Sequence, residues 1–307
     1  MEQQVVDLLE YLKAEQGRSP NTIAAYRNDL MQFVEFLQIH HKPPVESWSA
    51  VDGVLLERYL GFLKTQTKPY SSATIARKLA AVKRFCEFLY TSGWLEQNVS
   101  KTVRLPKVAK NLPHTMHTDD LHKLLAAPEA QHSPQSLRDK ALLETLYATG
   151  MRVSELVDLN VADVDLAAEQ IRCNVGGRHC RLVHIGDGAA AALALYLQEG
   201  REQLVMNRSE SALFLNHRGQ RLTRQGLWLI IKRYVKQAGI KTPVTPHTLR
   251  HSFAAHLVNA GAALRDIKER LGYAHLSSTQ IYQQVTNGAT SELVIDGHPM
   301  ATVNGKH

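Results

Sequence analysis

Apolar side chains recur every three to four positions through the first third of the chain, the spacing that lines one face of an α-helix. Val5, Leu8, Leu9 and Leu12 define a first helix. Ser19-Pro20-Asn21-Thr22 then interrupts the pattern and opens a second. Ser supplies a cap for the free amides, and Pro sits just inside, where its missing N–H costs nothing. Tyr26, Leu30, Phe33, Val34 and Phe36 form the apolar side of that helix until Lys42-Pro43-Pro44 ends it. A third helix is expected around residues 54–63. After Pro69-Tyr70-Ser71-Ser72 a fourth runs over about 74–90, with Ile75, Leu79, Val82, Phe85, Phe88 and Leu89 inward. Its opposite face is basic, carrying Arg77, Lys78, Lys83 and Arg84.

Residues 101–113 hold prolines, four cations and no acid, with little periodicity, and read as a linker. The expected division is therefore a first domain over 1–103, a linker over 104–115 and a second domain over 116–307. The second domain starts a helix at Thr118 ahead of Asp119 and Asp120, has another over about 137–149, and a third beginning near Val153. Residues 170–185 alternate and carry Gly176-Gly177 at their middle, which predicts a β-hairpin. Helical spacing resumes afterwards. The fold class that follows is an all-α first domain and a mainly α second domain with a small β-sheet, of the α+β class.

A length of 307 residues exceeds what one core usually fills, in keeping with two domains. Hydrophobic residues at 44% and charged residues at 21% are ordinary globular values. Lysine and arginine number 36 against 29 acids, a net charge of +7, which favours a polyanionic partner. A mildly basic surface with no such partner would give the same figure. Cys86, Cys173 and Cys180 are too few and too scattered for a disulfide framework or a zinc site, so a reducing compartment fits. The opening segment is amphipathic with acids in it, unlike a signal peptide, and no apolar run is long enough to span a bilayer. A cytoplasmic protein without membrane contact is expected.

The chemistry-bearing residues fall in three segments. These are Ala148-Thr149-Gly150-Met151-Arg152-Val153-Ser154-Glu155-Leu156, His247-Thr248-Leu249-Arg250-His251-Ser252-Phe253-Ala254, and Leu271-Gly272-Tyr273 followed by Ser278-Thr279-Gln280-Ile281-Tyr282. Opening a phosphodiester needs a nucleophile, neutralisation of the non-bridging oxygens and a proton for the departing oxygen. Tyr282 supplies a nucleophile, though a phenol of pKa about 10 attacks poorly unless cations and a base assist it. Arg152 and Arg250 suit the phosphate, because a guanidinium stays charged and forks onto two oxygens. His247 lies three residues before Arg250, so a helix directs both toward one phosphate, and Glu155 is placed to orient Arg152. Taken singly, each has an uneventful reading: a tyrosine in the core, a surface pair of Arg152 with Glu155, and His251 and His256 as packing or capping residues.

Together and in order, the three segments resemble the motifs of the tyrosine recombinase or phage integrase family, most closely its XerC/XerD-like branch. Ser19-Pro20-Asn21-Thr22 and Tyr26 resemble the start of that family's SAM-like core-binding domain, a DNA clamp. The resemblance implies a site-specific recombinase that cuts and rejoins duplex DNA through a 3′-phosphotyrosyl intermediate, with no metal, cofactor or ATP. It implies a homotetramer on two DNA sites, with a second recombinase or an accessory DNA-binding protein as a further partner, associated with the nucleoid. It implies DNA contacts by Thr223, Arg224 and Gln225, and the basic face of Arg77, Lys78, Lys83 and Arg84 is a candidate for the first domain's groove-facing surface.

The chain departs from the family pattern in places. The hairpin lysine that serves the family as general acid falls on Gly176 here, and the hairpin holds no lysine. His179 is the nearest residue able to give up a proton at neutral pH. Tyr273 stands where the family has His or Trp, and His275 offers a second occupant for that space. The tail beyond Asn287-Gly288 holds one short apolar stretch, Leu293-Val294-Ile295, for docking on a neighbour. Two other readings remain open: a DNA-binding relative with impaired chemistry and an architectural or regulatory role, and a type IB topoisomerase.

Overall fold

The computed structural model describes residues 1–101, 103–106, 114–175, 179–273, 279, 281 and 282, except the side chains of Asn174, Val175 and His179. The chain divides into two compact units, Met1–Lys110 and Asn111–His307. The described part of the first unit is helical throughout: α1 (Glu2–Ala14), α2 (Pro20–Glu35), α3 (Gly53–Lys64) and α4 (Ser72–Thr91), joined by short 3-10 and π turns. Side-chain oxygens cap the starts. Ser19 accepts from the Thr22 amide at 3.2 Å, Asp52 from Leu55 at 2.8 Å and Ser71 from Thr74 at 3.2 Å. A π turn over Phe36–His40 prolongs α2 and turns Phe36 into the core. Phe33 packs on Tyr59 at 4.8 Å between ring centres, and Trp48 meets Phe85 edge-on at 4.9 Å. Each such fully buried side chain contributes about 1.5–3 kcal/mol.

The basic face of α4 is not the free surface its sequence suggests. Lys78 is buried, 7% exposed, and its ammonium donates at 3.0 Å to Asp29, which α2 buries at 2% exposure. Arg77 pairs with the other oxygen of the same carboxylate. Lys83 donates to the Val103 carbonyl at 2.9 Å, and Arg84 pairs with Glu87 at 2.7 Å. The cause is Asp29. A carboxylate carried into the α2–α4 contact needs cations beside it, and α4 supplies them. Lys78 is thereby removed from any groove-facing role, and Arg77, Lys83 and Arg84 are each engaged within the unit.

The second unit contains α5 (Thr118–Ala126), α6 (Pro134–Thr149), α7 (Val153–Asp158), β1 (Val164–Asp165), β2 (Gln170–Val175), β3 (His179–His184), α8 (Gly186–Leu195), α9 (Arg201–Leu204), α10 (Arg224–Gln237), α11 (Pro246–Asn259) and α12 (Leu264–Leu271). Thr279, Ile281 and Tyr282 are again helical. The strands form an antiparallel sheet in the order β1-β2-β3, with Ile171 opposite Val183 and Val175 opposite His179. The hairpin expected from the alternation at 170–185 is thus present, and its tip, residues 176–178, lies outside the described residues. A capping box of Ser133 and Ser136 starts α6, whose Leu142, Leu143, Leu146 and Tyr147 are all buried. The fold class is the one the sequence predicts: helical in the first unit, mainly helical with a small sheet in the second. Among the described residues no helix is long and apolar enough to cross a membrane.

Removing Asp29 strands the buried Lys78 ammonium. Asp29→Ala is expected to cost about 3–5 kcal/mol, seen as a lower urea midpoint for the full chain. An unchanged midpoint would mean that the pair contributes nothing net.

Candidate active site

Two left-handed glycines shape the site. Gly150 ends α6 with φ of +57°, and a Cβ there would lie 2.4 Å from Phe253 Cδ1 and 2.7 Å from Leu271 Cδ2. Gly272 ends α12 with φ of +62°, and its Cβ would come within 2.8 Å of Arg181 Nη1. Only glycine meets both demands, the backbone angle and the close approach. One reversal delivers Arg152 to the start of α7, and the other delivers Tyr273.

Arg250, on α11, fills the space between these two helix ends and is 3% exposed. Nη1 donates to Gly150 O at 2.5 Å, Nη2 to Leu271 O at 2.6 Å, and Nε to the Tyr273 hydroxyl at 3.4 Å. Helix ends leave carbonyls without intrahelical partners, and one guanidinium satisfies both ends here. Arg152 extends the same pattern, with Nη2 on Gly272 O at 3.0 Å and Nη1 on Glu155 Oε1 at 2.8 Å. Both guanidinium groups lie near the Tyr273 ring, Arg250 at 4.7 Å from its centre and Arg152 at 6.0 Å.

Glu155 is shared. Besides Arg152 it receives Arg181 of β3 on both oxygens, at 3.2 and 3.0 Å, and the Arg152 amide at 2.8 Å. Arg181 also donates to Arg270 O at 3.2 Å, which ties the sheet to the end of α12. Burial works to raise the Glu155 carboxyl pKa. The donors from Arg181 and Arg152 outweigh it and hold the group below the usual carboxylate range.

Tyr282 is 1% exposed. Its hydroxyl lies 2.7 Å from His251 Nδ1 and 3.1 Å from the Tyr273 hydroxyl. Burial, followed by the neighbouring Tyr273, pushes the Tyr282 phenol well above its ordinary pKa, against the opposing pull of Arg250. Burial also pushes His251 down, helped by His247 and Arg250, so its imidazole is neutral at pH 7.

The structure therefore brings together Arg152, Glu155, Arg250, Tyr273 and Tyr282. His247 does not share the environment of Arg250 as its spacing suggests: it is exposed on the first turn of α11, with its ring 6.5 Å from that of His251. A separation of three residues leaves the two side chains about 60° apart around the helix, enough to put one in solvent and one in the core. Gly176, His275 and the His179 side chain fall outside the described residues. Thr223 caps α10 by accepting from Gly226 N at 3.0 Å, and Arg224 and Gln225 are exposed. Two participants escaped the sequence reading, His251 and Arg181. His251 is four residues after His247, the spacing that stacks side chains along a helix face, and this was the available signal. His256 does pack, 2.8 Å from the Tyr147 hydroxyl. Among the described residues no group of three or more His, Cys, Asp or Glu is placed to hold a metal ion.

Comparison with known proteins matches residues 114–288 to the model "Phage integrase family" and residues 5–93 to "Phage integrase, N-terminal SAM-like domain". A "Tyrosine recombinase XerC" from Herpetosiphon aurantiacus is 48% identical over 287 residues, covering 94% of this chain and 92% of that protein. A "Tyrosine recombinase XerD" from Oceanobacillus iheyensis is 38% identical over 302 residues, covering 98% and 100%. Among solved structures, the XerH site-specific recombinase bound to palindromic difH in a post-cleavage complex has the same fold. It superposes with a TM-score of 0.71 at 23% identity, over 94% of this chain and 82% of that one.

Gly150→Ala is expected to destabilise the protein by roughly 2–4 kcal/mol, from the left-handed angle together with overpacking against Phe253 and Leu271. Urea unfolding checks the figure, and a loss below 0.5 kcal/mol would show that the helix end relaxes freely.

Proposed function

Since the chain belongs to the phage integrase family of tyrosine recombinases, we propose that it cuts and rejoins duplex DNA at a specific site with Tyr282 as the attacking group. One observation carries this reading. Residues from three distant segments, Arg152, Arg250 and Tyr282, converge on the Tyr273 side chain within a single chain. The phenolic oxygen joins to phosphorus and the 5′-oxygen of the next nucleotide departs, leaving a 3′-phosphotyrosyl ester. That ester keeps the energy of the broken bond, so religation by a 5′-hydroxyl needs no ATP and no metal.

Each guanidinium has five N–H groups. Among the described residues, Arg250 and Arg152 use some of theirs on Gly150, Leu271, Tyr273, Gly272 and Glu155, and the rest remain for non-bridging phosphate oxygens. Glu155 fixes the plane of Arg152. Exposed His247 meets the phosphate from the solvent side, and Tyr273 takes the place the family gives to His or Trp. Proton delivery to the departing oxygen falls to His179, with His275 as support, since the hairpin has no lysine. Thr223, Arg224 and Gln225 at the start of α10 contact the duplex backbone or bases. The exposed part of Arg77, with Lys83 and Arg84, adds charge toward the phosphates. Four protomers pair two sites. The likeness to proteins named both XerC and XerD supports a second recombinase as partner. The chain works in the cytoplasm, on the nucleoid.

A nicked suicide duplex, selected by the protein from a randomised duplex pool, tests the reading. The intact protein is expected to yield a slow-migrating covalent adduct on a denaturing gel, and Tyr282→Phe none. Specific binding by the intact protein with no adduct would replace this reading with an architectural role.

A further inference from the structure

We propose that His251 is the general base of this reaction, taking the phenolic proton of Tyr282 during cleavage and returning it on rejoining. The inference rests on the recombinase reading above and names a catalytic residue beyond it. Nδ1 lies 2.7 Å from the atom that must lose a proton, a direct hydrogen bond. His247 is exposed and makes no side-chain hydrogen bond to Tyr282 among the described residues.

The direction of that bond follows from its neighbours. A guanidinium only donates, so Tyr273 Oη accepts from Arg250 Nε. Tyr273 then has its own hydroxyl hydrogen to place, and among the described residues its one remaining partner is Tyr282 Oη at 3.1 Å. With Tyr273 donating to Tyr282, the Tyr282 hydrogen goes to His251 Nδ1. Among the described residues every hydrogen is used only in the order Arg250 to Tyr273 to Tyr282 to His251. This arrangement puts the His251 tautomer with its proton on Nε2 and an open lone pair on Nδ1. Burial holds the imidazole neutral and the phenol protonated, the starting state a base requires. As the charge on Tyr282 Oη grows, the Tyr273 hydroxyl, backed by Arg250, stabilises it from the opposite side.

The step balances. The Oη–P bond forms as the P–O5′ bond breaks, the phenolic proton moves to Nδ1 to give an imidazolium, and O5′ departs with a proton from the general acid. On rejoining, the 5′-hydroxyl attacks phosphorus, its proton returns to the acid, and the leaving phenolate recovers its proton from His251.

The experiment is single-turnover adduct formation on the nicked duplex selected from the randomised pool. It uses the full chain with either Tyr282 or 3,5-difluorotyrosine at that position, whose phenol is more acidic and needs less help. His251→Ala is expected to slow adduct formation about 10²–10³-fold with duplex binding retained. The deficit should shrink at least about tenfold with the fluorinated phenol, and added imidazole should restore part of the rate. The loss in His247→Ala should be indifferent to fluorination. His251→Asn keeps an acceptor near the Nδ1 position but cannot take the proton. It should fold and bind like the intact protein and still react slowly, and it decides the matter if the alanine variant does not fold. A full rate in His251→Asn, or a deficit equal for both phenols with no imidazole rescue, overturns the assignment and leaves His251 a packing residue. Absence of any adduct from the intact protein would instead sink the recombinase reading itself.

Discussion

A guanidinium withdrawn from water organises the catalytic unit. Arg250 binds carbonyls at the ends of α6 and α12 and supports the Tyr273 hydroxyl, so three segments spread over more than a hundred residues of sequence meet at one planar group. A buried charge is tolerated only when its donors are matched, and helix C-termini, with their unpaired carbonyls and partial negative charge, match it well. The glycines at those ends are a consequence. Only a residue without Cβ lets the chain turn left-handed close enough to Phe253, Leu271 and Arg181 to present the carbonyls there.

Glu155 plays the complementary part on the sheet side. A single carboxylate between Arg152 and Arg181 keeps two cations apart while fixing both, and through Arg181 it couples β3 to the end of α12. Asp29 in the first unit solves the same problem with Arg77 and Lys78. In both places an acid inside a helix contact recruits basic residues that composition alone would assign to a nucleic-acid surface.

The elements themselves were legible. Ser19 caps α2 where the side-chain chemistry says it should, and the alternation about Gly176-Gly177 marks a hairpin. What the periodicity could not show was rotation about a helix axis. His247, His251 and His256 share α11, yet the first is exposed, the second meets Tyr282 and the third meets Tyr147. Their fates depend on what packs against each sector, which comes from distant sequence. The same limit hid Lys78, assigned outward by spacing and drawn inward by a carboxylate on another helix. Motif order was more informative than either, because Arg152, Arg250 and Tyr282 had to converge for the chemistry to exist.

The carbonyls that hold Arg250 and Arg152 carry a consequence for selectivity. A phosphate arriving at these guanidinium groups takes the N–H groups left over and competes with oxygens already bound to the same cations, so the net gain per contact is smaller than for an open cationic pocket. A small anion free in solution has nothing else to offset that exchange. A long polymer fastened along its length presents its phosphate at high effective concentration and tips the exchange in its own favour. An active centre wired in this way favours a phosphate held in a long polymer over a loose phosphate ester.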